Sequence, residues 1–196
     1  MSMPNFKIFT ESKADVKFLK DYIEEILNIS LDNNNFDTLG SWSGYKEGGN
    51  LKQSFIENTN NENISLLILD ADSDINKRRE EVLNDFKTLG NPVELFLFPN
   101  DKDNGELETL LAQIAVERKL IECFESYEKC IEGYEKPVNK SKIFAHLDAL
   151  LTHNNKDNNK KDLIQEANRN YRNTDHWKLD HDYLNPLKEF LSKFIK

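Results

Sequence analysis

The stretch ISLLILDADSD, Ile64–Asp74, decides the fold. Its first part, ISLLIL, is almost continuously apolar, a pattern typical of a β-strand that is buried on both faces of a parallel sheet. The run then ends in Asp70, Asp72 and Asp74, three carboxylates at alternating positions. So much negative charge at one point is unfavourable unless something positive lies beside it. The stretch therefore predicts a central strand whose end holds a cation.

Strand and helix patterns alternate through the first hundred residues. NFKIFT (5–10) and FDTLGSW (36–42) are predicted as strands before the central one, and PVELFLFP (92–99) as a fourth strand after it. Ser12 and Asp15 form a capping-box pattern at the start of the first helix. Apolar residues at helical spacing lie between the strands: Val16, Leu19, Ile23, Ile26 and Leu27; Leu51, Phe55 and Ile56; Val82, Phe86 and Leu89. This alternation predicts an α/β fold with a four-stranded, mainly parallel, Rossmann-like sheet flanked by helices.

The rest of the chain, from Gly105 onward, has the pattern of helices. Its apolar positions at helical spacing are Leu107, Leu110, Leu111, Ile114, Ile121, Phe124, Ile143, Leu147, Leu150, Leu151, Leu184, Leu187, Phe190, Leu191 and Phe194. The polar segment HNNKDNNKKD (153–162) is predicted as a solvated loop. We expect an α/β domain over residues 1–115 and an all-helical extension over residues 116–196 that packs on it as one unit.

The composition predicts a cytoplasmic protein without a membrane segment. No part of the sequence approaches the roughly 20 consecutive apolar residues that span a bilayer, and MSMPNFKIFT lacks the apolar core of a signal peptide. Cys123 and Cys130 are seven residues apart, which is not a metal-binding spacing, so we expect two reduced thiols.

The net charge of −9 argues against broad, non-specific binding of nucleic acid. The charge is unevenly distributed, however. Residues 1–115 contain 11 Lys and Arg against 21 Asp and Glu, whereas residues 138–196 contain 11 against 8. The acidic surplus therefore belongs to the half of the chain that contains the predicted sheet.

Acidic residues follow three of the four predicted strands. Glu11 follows the first strand, and Asp70 and Asp72 end the third. The segment after the fourth strand contains Asp101, Asp103, Glu106 and Glu108. Parallel strands end at one edge of a sheet, and if the first and third are neighbours they flank the switch point at which ligands bind. Such oxygen ligands suit Mg²⁺ or Mn²⁺.

Structural roles for single acids remain open beside this metal-site interpretation. An Asp after a strand is commonly the N-cap of the next helix, and Asp74 fits that role. Glu106 and Glu108 lie in the first turn of a predicted helix, where the helix dipole favours acids.

Three other motifs contain similar residues. The calcium-loop pattern fails because Ile75 stands where a Gly is needed. LLILDADSD also resembles the Asp-x-Asp motif of nucleotide-sugar glycosyltransferases, although the N-terminal segment does not look like theirs. The nucleophile motif of haloacid-dehalogenase phosphatases is similar, but their later motifs are not evident.

The order and spacing of the motifs match the Toprim domain better. KIFTESKADVKFLKDYI resembles its first motif, with Glu11 at the strand end, and LLILDADSD resembles its second, with Asp70 and Asp72. Toprim domains occur in topoisomerases, primases and overcoming-lysogenization-defect nucleases. Within the superfamily, the chain resembles a group of uncharacterised bacterial Toprim-like proteins related to those nucleases, through LFPNDKDNGELETLL and the helix start NKSKIFAHL.

The resemblance implies metal-dependent phosphodiester chemistry on nucleic acid, in phage defence or repair. Glu11, Asp70 and Asp72 would hold Mg²⁺ or Mn²⁺, with Glu11 alternatively a general base. Glu106 or Glu108 would complete a second metal site. Lys142 or Lys140 would meet developing negative charge.

The basic C-terminal part supplies candidate nucleic-acid contacts. They are Lys140, Lys160, Lys161, Arg169 and Arg172. Tyr171 and Trp177 lie among them and could stack on bases, although a place in the core is the more usual role for such residues. A separately encoded ATPase or another protein is a possible partner. Two alternative functions stay open: a non-catalytic module that binds nucleic acid, nucleotide or a partner, and a nucleotide-sugar-dependent transferase.

Overall fold

A computed structural model describes residues 6–40, 50–89, 93–135, 137–153 and 164–195. Lys160, Lys161, the end of the predicted second strand and nearly all of the predicted loop at 153–162 lie outside these ranges.

Four strands form one sheet in which every neighbouring pair is parallel. The strands are β1 (Phe6–Thr10), β2 (Phe36–Thr38), β3 (Ile64–Asp70) and β4 (Glu94–Phe98). Their order across the sheet is β2-β1-β3-β4. The predicted α/β class is confirmed, and β1 and β3 are neighbours, as the switch-point argument requires.

Seven α-helices lie within the described ranges. They are α1 (Lys13–Tyr22), α2 (Asn50–Asn60), α3 (Ile75–Leu89), α4 (Leu107–Ile114), α5 (Arg118–Cys130), α6 (Asn139–His153) and α7 (Asn185–Phe194). A π-helical turn, Ile23–Leu27, continues α1. The predicted capping box is present at α1, because Ser12 Oγ accepts from the Asp15 amide and Asp15 Oδ2 accepts from the Ser12 amide.

The central strand β3 is buried on both faces, as its apolar run predicts. Leu66, Leu67, Ile68 and Leu69 are all at most 1% exposed. Because strand side chains alternate, Leu67 and Leu69 pack with α2 and α3, whereas Leu66 and Ile68 pack with α1 and the C-terminal helices. Helices therefore cover both faces of the sheet, whereas its carboxyl edge is formed by the strand ends and the loops that follow them.

The strand β2 is shorter than the predicted segment 36–42. Beyond Thr38, the amide of Leu39 donates to Thr10 O at 2.7 Å and that of Gly40 to Glu11 O at 3.0 Å. Gly40 then adopts φ +75°, a left-handed conformation that Gly tolerates and that ends an extended segment. Residues 41 and 42 lie outside the described ranges.

The C-terminal helices share the core of the sheet. The rings of Phe96 on β4 and Phe190 on α7 lie 5.4 Å apart, and Tyr22 Oη on α1 donates to Leu184 O at 3.3 Å. One cluster of buried side chains runs from Phe6 to Ile195. The predicted division at residue 115 thus crosses a continuous hydrophobic core.

None of the described helices has both the length and the apolar character needed to cross a membrane.

Candidate functional site

The carboxyl ends of β1 and β3 bring together acids that are 59 residues apart in sequence. Thr10 pairs with Ile68 in the parallel register, so Glu11 lies beside the end of β3. The Asp70 amide donates to Glu11 Oε1 at 3.4 Å. Crossovers leave β1 and β3 in opposite directions in this strand order, which makes the gap between them the switch point of the sheet.

Asp70 is the most strongly perturbed carboxyl group at this edge. Burial raises its pKa to about 9, and the charges of Asp15, Glu11, Glu106 and Glu108 add to the shift. Asp70 Oδ1 accepts a hydrogen bond from the Leu107 amide at 3.1 Å. Asp70 thus binds the first turn of α4, and its surroundings favour the protonated form of its carboxyl group.

Arg78 on α3 neutralises part of the charge at the edge. Its Nη2 lies 3.0 Å from Glu11 Oε1 and 3.0 Å from Asp72 Oδ2, and its Nε donates to Asp70 O at 3.1 Å. Burial raises the pKa of Glu11, and the Arg78 charge opposes that shift. One guanidinium therefore contacts all three residues that the Toprim resemblance assigns to metal binding.

No three His, Cys, Asp or Glu side chains in the described part of the chain are arranged to hold one metal ion among them. The Arg78 guanidinium lies between Glu11 and Asp72 instead. The positive charge that the sequence predicts at the end of β3 is, in this structure, an arginine.

Asp72 connects the loop after β3 to the loop after β4. Its amide donates to Gly105 O at 2.9 Å, and the Gly105 amide donates to Asp72 O at 2.8 Å. Both residues have positive φ, +53° at Asp72 and +137° at Gly105. This reciprocal pair brings the segment that contains Glu106 and Glu108 to the end of β3.

Glu106 and Glu108 begin α4, as predicted, and Glu108 is only 6% exposed. Burial raises the pKa of Glu108, with a further contribution from the charge of Glu106 and an opposing one from Lys140. Lys140, at the start of α6, lies 3.0 Å from Glu166 Oε1. Although burial works against it, the bond to Glu166 and the charges of Glu166, Glu108 and Glu106 raise the pKa of Lys140.

Asp15 belongs to the same electrostatic cluster, although its sequence pattern indicates only a helix cap. It is 5% exposed. Burial raises its pKa to about 7, its bonds to Ser12 oppose the shift, and the charges of Glu11 and Glu108 add to it. The sequence does contain a signal for this role: a helix-capping Asp that follows a strand-end Glu by about one helical turn can lie in the same cluster as that Glu.

The other acids of this region have structural partners. Asp74 caps α3, because its Oδ1 accepts from the amides of Asn76 and Lys77 at 3.1 Å each. Asp101 accepts from the Leu97 amide at 3.0 Å and from Arg79 Nη2 at 2.8 Å.

Asp103 also has two donors in the described structure. Its Oδ2 accepts from Asn100 Nδ2 at 2.7 Å and from Tyr183 Oη at 3.2 Å. Asp74, Asp101 and Asp103 thus shape the loops around the edge.

Among the predicted basic residues, Lys140 has a charge that reaches Glu106 and Glu108. Lys142 Nζ lies 3.0 Å from Glu128 Oε2 and 3.7 Å from Glu125 Oε1, against α5. Arg172 pairs with Glu24 and Glu25 at 3.0 and 3.1 Å. These paired side chains do not form a shared basic surface.

The aromatic and sulfur-containing residues singled out by sequence also have clear places. Tyr171 and Trp177 are buried in the core. Cys123 and Cys130 are exposed free thiols on α5, as expected from their spacing.

Fold and site together define an α/β protein with a carboxylate-rich switch point and helices that complete its core. A family model described as "Protein of unknown function (DUF3226)" matches residues 5–196, and the chain belongs to this family. No curated protein and no solved structure matches the chain. The Toprim resemblance therefore stays a prediction that depends on the motifs.

Proposed function

We propose that this protein carries out divalent-metal-dependent phosphodiester chemistry on nucleic acid, as a Toprim-type nuclease or a related phosphotransfer enzyme. The observation that carries the proposal is the meeting of Glu11 and Asp70 at the β1–β3 switch point. Buried carboxylates that raise one another's pKa values are typical of sites where a function requires the concentrated charge.

The donor set suits Mg²⁺ or Mn²⁺. All candidate ligands are carboxylate oxygens, which these hard cations prefer. The Arg78 guanidinium already bridges Glu11 and Asp72, so this point of the edge accommodates positive charge. The residues that would hold the metal are Glu11, Asp70 and Asp72, with Glu106 and Glu108 for a second ion.

A bound divalent metal would lower the pKa of an attacking water and neutralise charge on the scissile phosphate. The chain's own groups have complementary roles. The Leu107 amide orients the Asp70 carboxyl through Oδ1, and a proton on that carboxyl must leave before a cation binds. Lys140 is the described lysine best placed to meet negative charge near Glu108.

Cleavage assays with isosteric variants test the proposal. Asp70→Asn keeps an acceptor for the Leu107 amide, and Asp72→Asn suits the positive φ of that position, since Asn tolerates left-handed backbone. We expect either variant to lose about 100-fold or more of metal-dependent cleavage, the scale of losing one preorganised electrostatic group. Supercoiled plasmid and labelled single-stranded DNA and RNA would be incubated with Mn²⁺, Mg²⁺ or EDTA.

Asp74→Asn is the matched control. It removes one carboxylate from the same segment but leaves α3 capped, because Asn and Asp are equally good N-caps. Wild-type cleavage by this variant, beside inactive and folded Asp70→Asn, would support the proposal. Equal cleavage by all variants, or none by wild type with any metal, would contradict it.

The bridge made by Arg78 favours a second candidate, a Toprim-like module that binds without catalysis. In that case the arginine is the permanent counter-charge of Glu11 and Asp72. Electron paramagnetic resonance of free Mn²⁺ distinguishes the two functions. If the site holds a metal, wild type should bind Mn²⁺ and Asp70→Asn should lose that binding. If the arginine bridge is permanent, Asp70→Asn should leave the amount of bound Mn²⁺ unchanged.

A further inference from the structure

Arg169 is a buried cation whose guanidinium is only partly satisfied. The residue is 1% exposed, its Nε donates to Ile164 O at 3.4 Å, and its guanidinium lies over the Phe144 ring at 5.3 Å. Both terminal nitrogens, Nη1 and Nη2, are buried without a hydrogen-bond partner in the described structure. Because buried, unpaired charged donors are strongly unfavourable, this position calls for an acceptor.

Tyr171 lies beside it, and the two buried groups contact each other. The Tyr171 side chain is fully buried, and its Oη makes no short hydrogen bond to a described residue. Burial raises the pKa of Tyr171 to about 12, whereas the Arg169 charge and a hydrogen bond between the Tyr171 and Arg169 side chains oppose that shift. The segment is anchored, since the Tyr171 amide donates to Asp21 Oδ2 at 3.0 Å.

The surroundings connect this pair with the carboxylate edge. The charges of Glu108 and Glu166 both act on Tyr171, and Glu108 begins the helix that Asp70 caps. Glu166 lies 3.0 Å from Lys140 Nζ, and its charge is therefore partly neutralised. Tyr171 and Lys140 thus both lie within reach of the charges of Glu108 and Glu166.

We propose that Arg169 and Tyr171 form a buried site for the terminal phosphate of a nucleic-acid substrate. The planar guanidinium fork matches two phosphate oxygens, and the phenol can donate to a third. A terminal phosphate fits better than an internal diester, because a buried site accepts a chain end more readily than a chain that must enter and leave. The identity of the larger ligand rests on the proposed function, whereas phosphate binding itself does not.

Thermal unfolding in inorganic phosphate, compared with chloride at equal ionic strength, tests the site without metal or catalysis. We expect phosphate at about tenfold its Kd to raise the melting temperature of wild type by roughly 3–5 °C. Tyr171→Phe removes only the hydroxyl and should lose most of the shift, and Arg169→Met should lose all of it. Arg172→Gln, which changes an exposed arginine in the same segment, should keep it.

The melting temperature of Arg169→Met in phosphate-free buffer is a second test of the site. In that buffer the variant should melt at the wild-type temperature or above, because a flexible apolar side chain replaces an unsatisfied buried charge. A large drop there, with no phosphate shift in wild type, would show that Arg169 is held by an acid of the protein and would overturn the proposal. Phosphate shifts retained in Tyr171→Phe and Arg169→Met would overturn it as well.

Dinucleotides with a 5′-phosphate, a 3′-phosphate or neither identify the end that binds. A shift for one phosphorylated form, absent in Arg169→Met, supports the terminal-phosphate site. Equal shifts for all three forms would contradict it. If phosphate binds but no nucleic acid is cleaved, the phosphate site stands and the proposed nuclease activity fails.

Discussion

Arg78 shows how one side chain can determine the state of a whole site. Its guanidinium contacts Glu11, Asp72 and the Asp70 carbonyl oxygen, so it competes directly with any metal ion for the same oxygens. A resident arginine and a divalent cation cannot both occupy the point between Glu11 and Asp72. Metal binding would therefore require Arg78 to release at least one carboxylate.

Replacing Arg78 tests this competition. We expect Arg78→Met to bind Mn²⁺ more tightly than wild type, by about tenfold, which corresponds to roughly 1.4 kcal/mol of removed competition. Arg79→Met is the control, because Arg79 contacts Asp101 and its loss should change the affinity by much less. Titrations followed by the resonance signal of free Mn²⁺ give both values. Unchanged or weaker binding in Arg78→Met would show that the arginine does not occupy the metal position.

Among the structural elements, the loop before α4 determines where Glu106 and Glu108 lie. Gly105 has φ +137°, and an added Cβ would lie 2.5 Å from Thr109 Oγ1. That oxygen accepts a hydrogen bond from the Glu106 amide at 3.2 Å, so the first turn of α4 folds back tightly over Gly105, which is itself paired with Asp72.

Gly105→Ala should therefore lower the free energy of unfolding by more than the strain of a positive φ alone would. Gly133→Ala is a matched control, because Gly133 also has positive φ, +97°, but has no atom within 4 Å of an added Cβ. We expect about 1 kcal/mol for Gly133→Ala and about 3 kcal/mol or more for Gly105→Ala, which adds a steric clash to the strain. Chemical denaturation measures both. Equal losses of stability in the two variants would mean that Thr109 can move away from the added methyl group without much loss of stability.

Local patterns predicted the elements well, because their signals lie within a few residues. The apolar run of β3 and the capping box of Ser12 and Asp15 need no tertiary information. Arg78 could not be found in this way, since an arginine among acids on a helix is typical of a solvated face. Its role depends on β1 lying beside β3. Similarly, only the packing of α6 distinguishes Lys140, near Glu108, from Lys142, which faces α5.

For the whole molecule, the carboxyl cluster predicts an alkaline loss of stability in the metal-free protein. Asp70 has a folded-state pKa of about 9, against an ordinary value of 3.8, so the folded state binds the extra proton. The contribution of Asp70 to stability is therefore complete below its ordinary pKa of 3.8 and is lost as the pH rises through its folded-state pKa of about 9.

The measurement is the free energy of unfolding between pH 7 and pH 9 in EDTA, the interval between the pKa values of Asp15 and Asp70. His146, whose pKa burial lowers to about 4, is neutral in the folded state there and mostly neutral in the unfolded state, so its effect is confined to the lower end of the interval. We expect wild type to lose up to about 1.4 kcal/mol per pH unit and Asp70→Asn to lose much less. Identical profiles would show that Asp70 is already ionised in the folded protein.

The continuous core has a consequence for how the protein is made. Phe6 and Ile195 belong to the same cluster of buried side chains, and Phe190 of α7 packs on Phe96 of β4. A ribosome releases β1 through β4 long before it releases α7. Until then, one face of the nascent sheet lacks the packing of α7, and the carboxylates at its edge lie next to an incomplete hydrophobic core. The residues of the carboxylate edge lie between Glu11 and Glu108, yet the core beneath that edge is complete only when translation has passed α7.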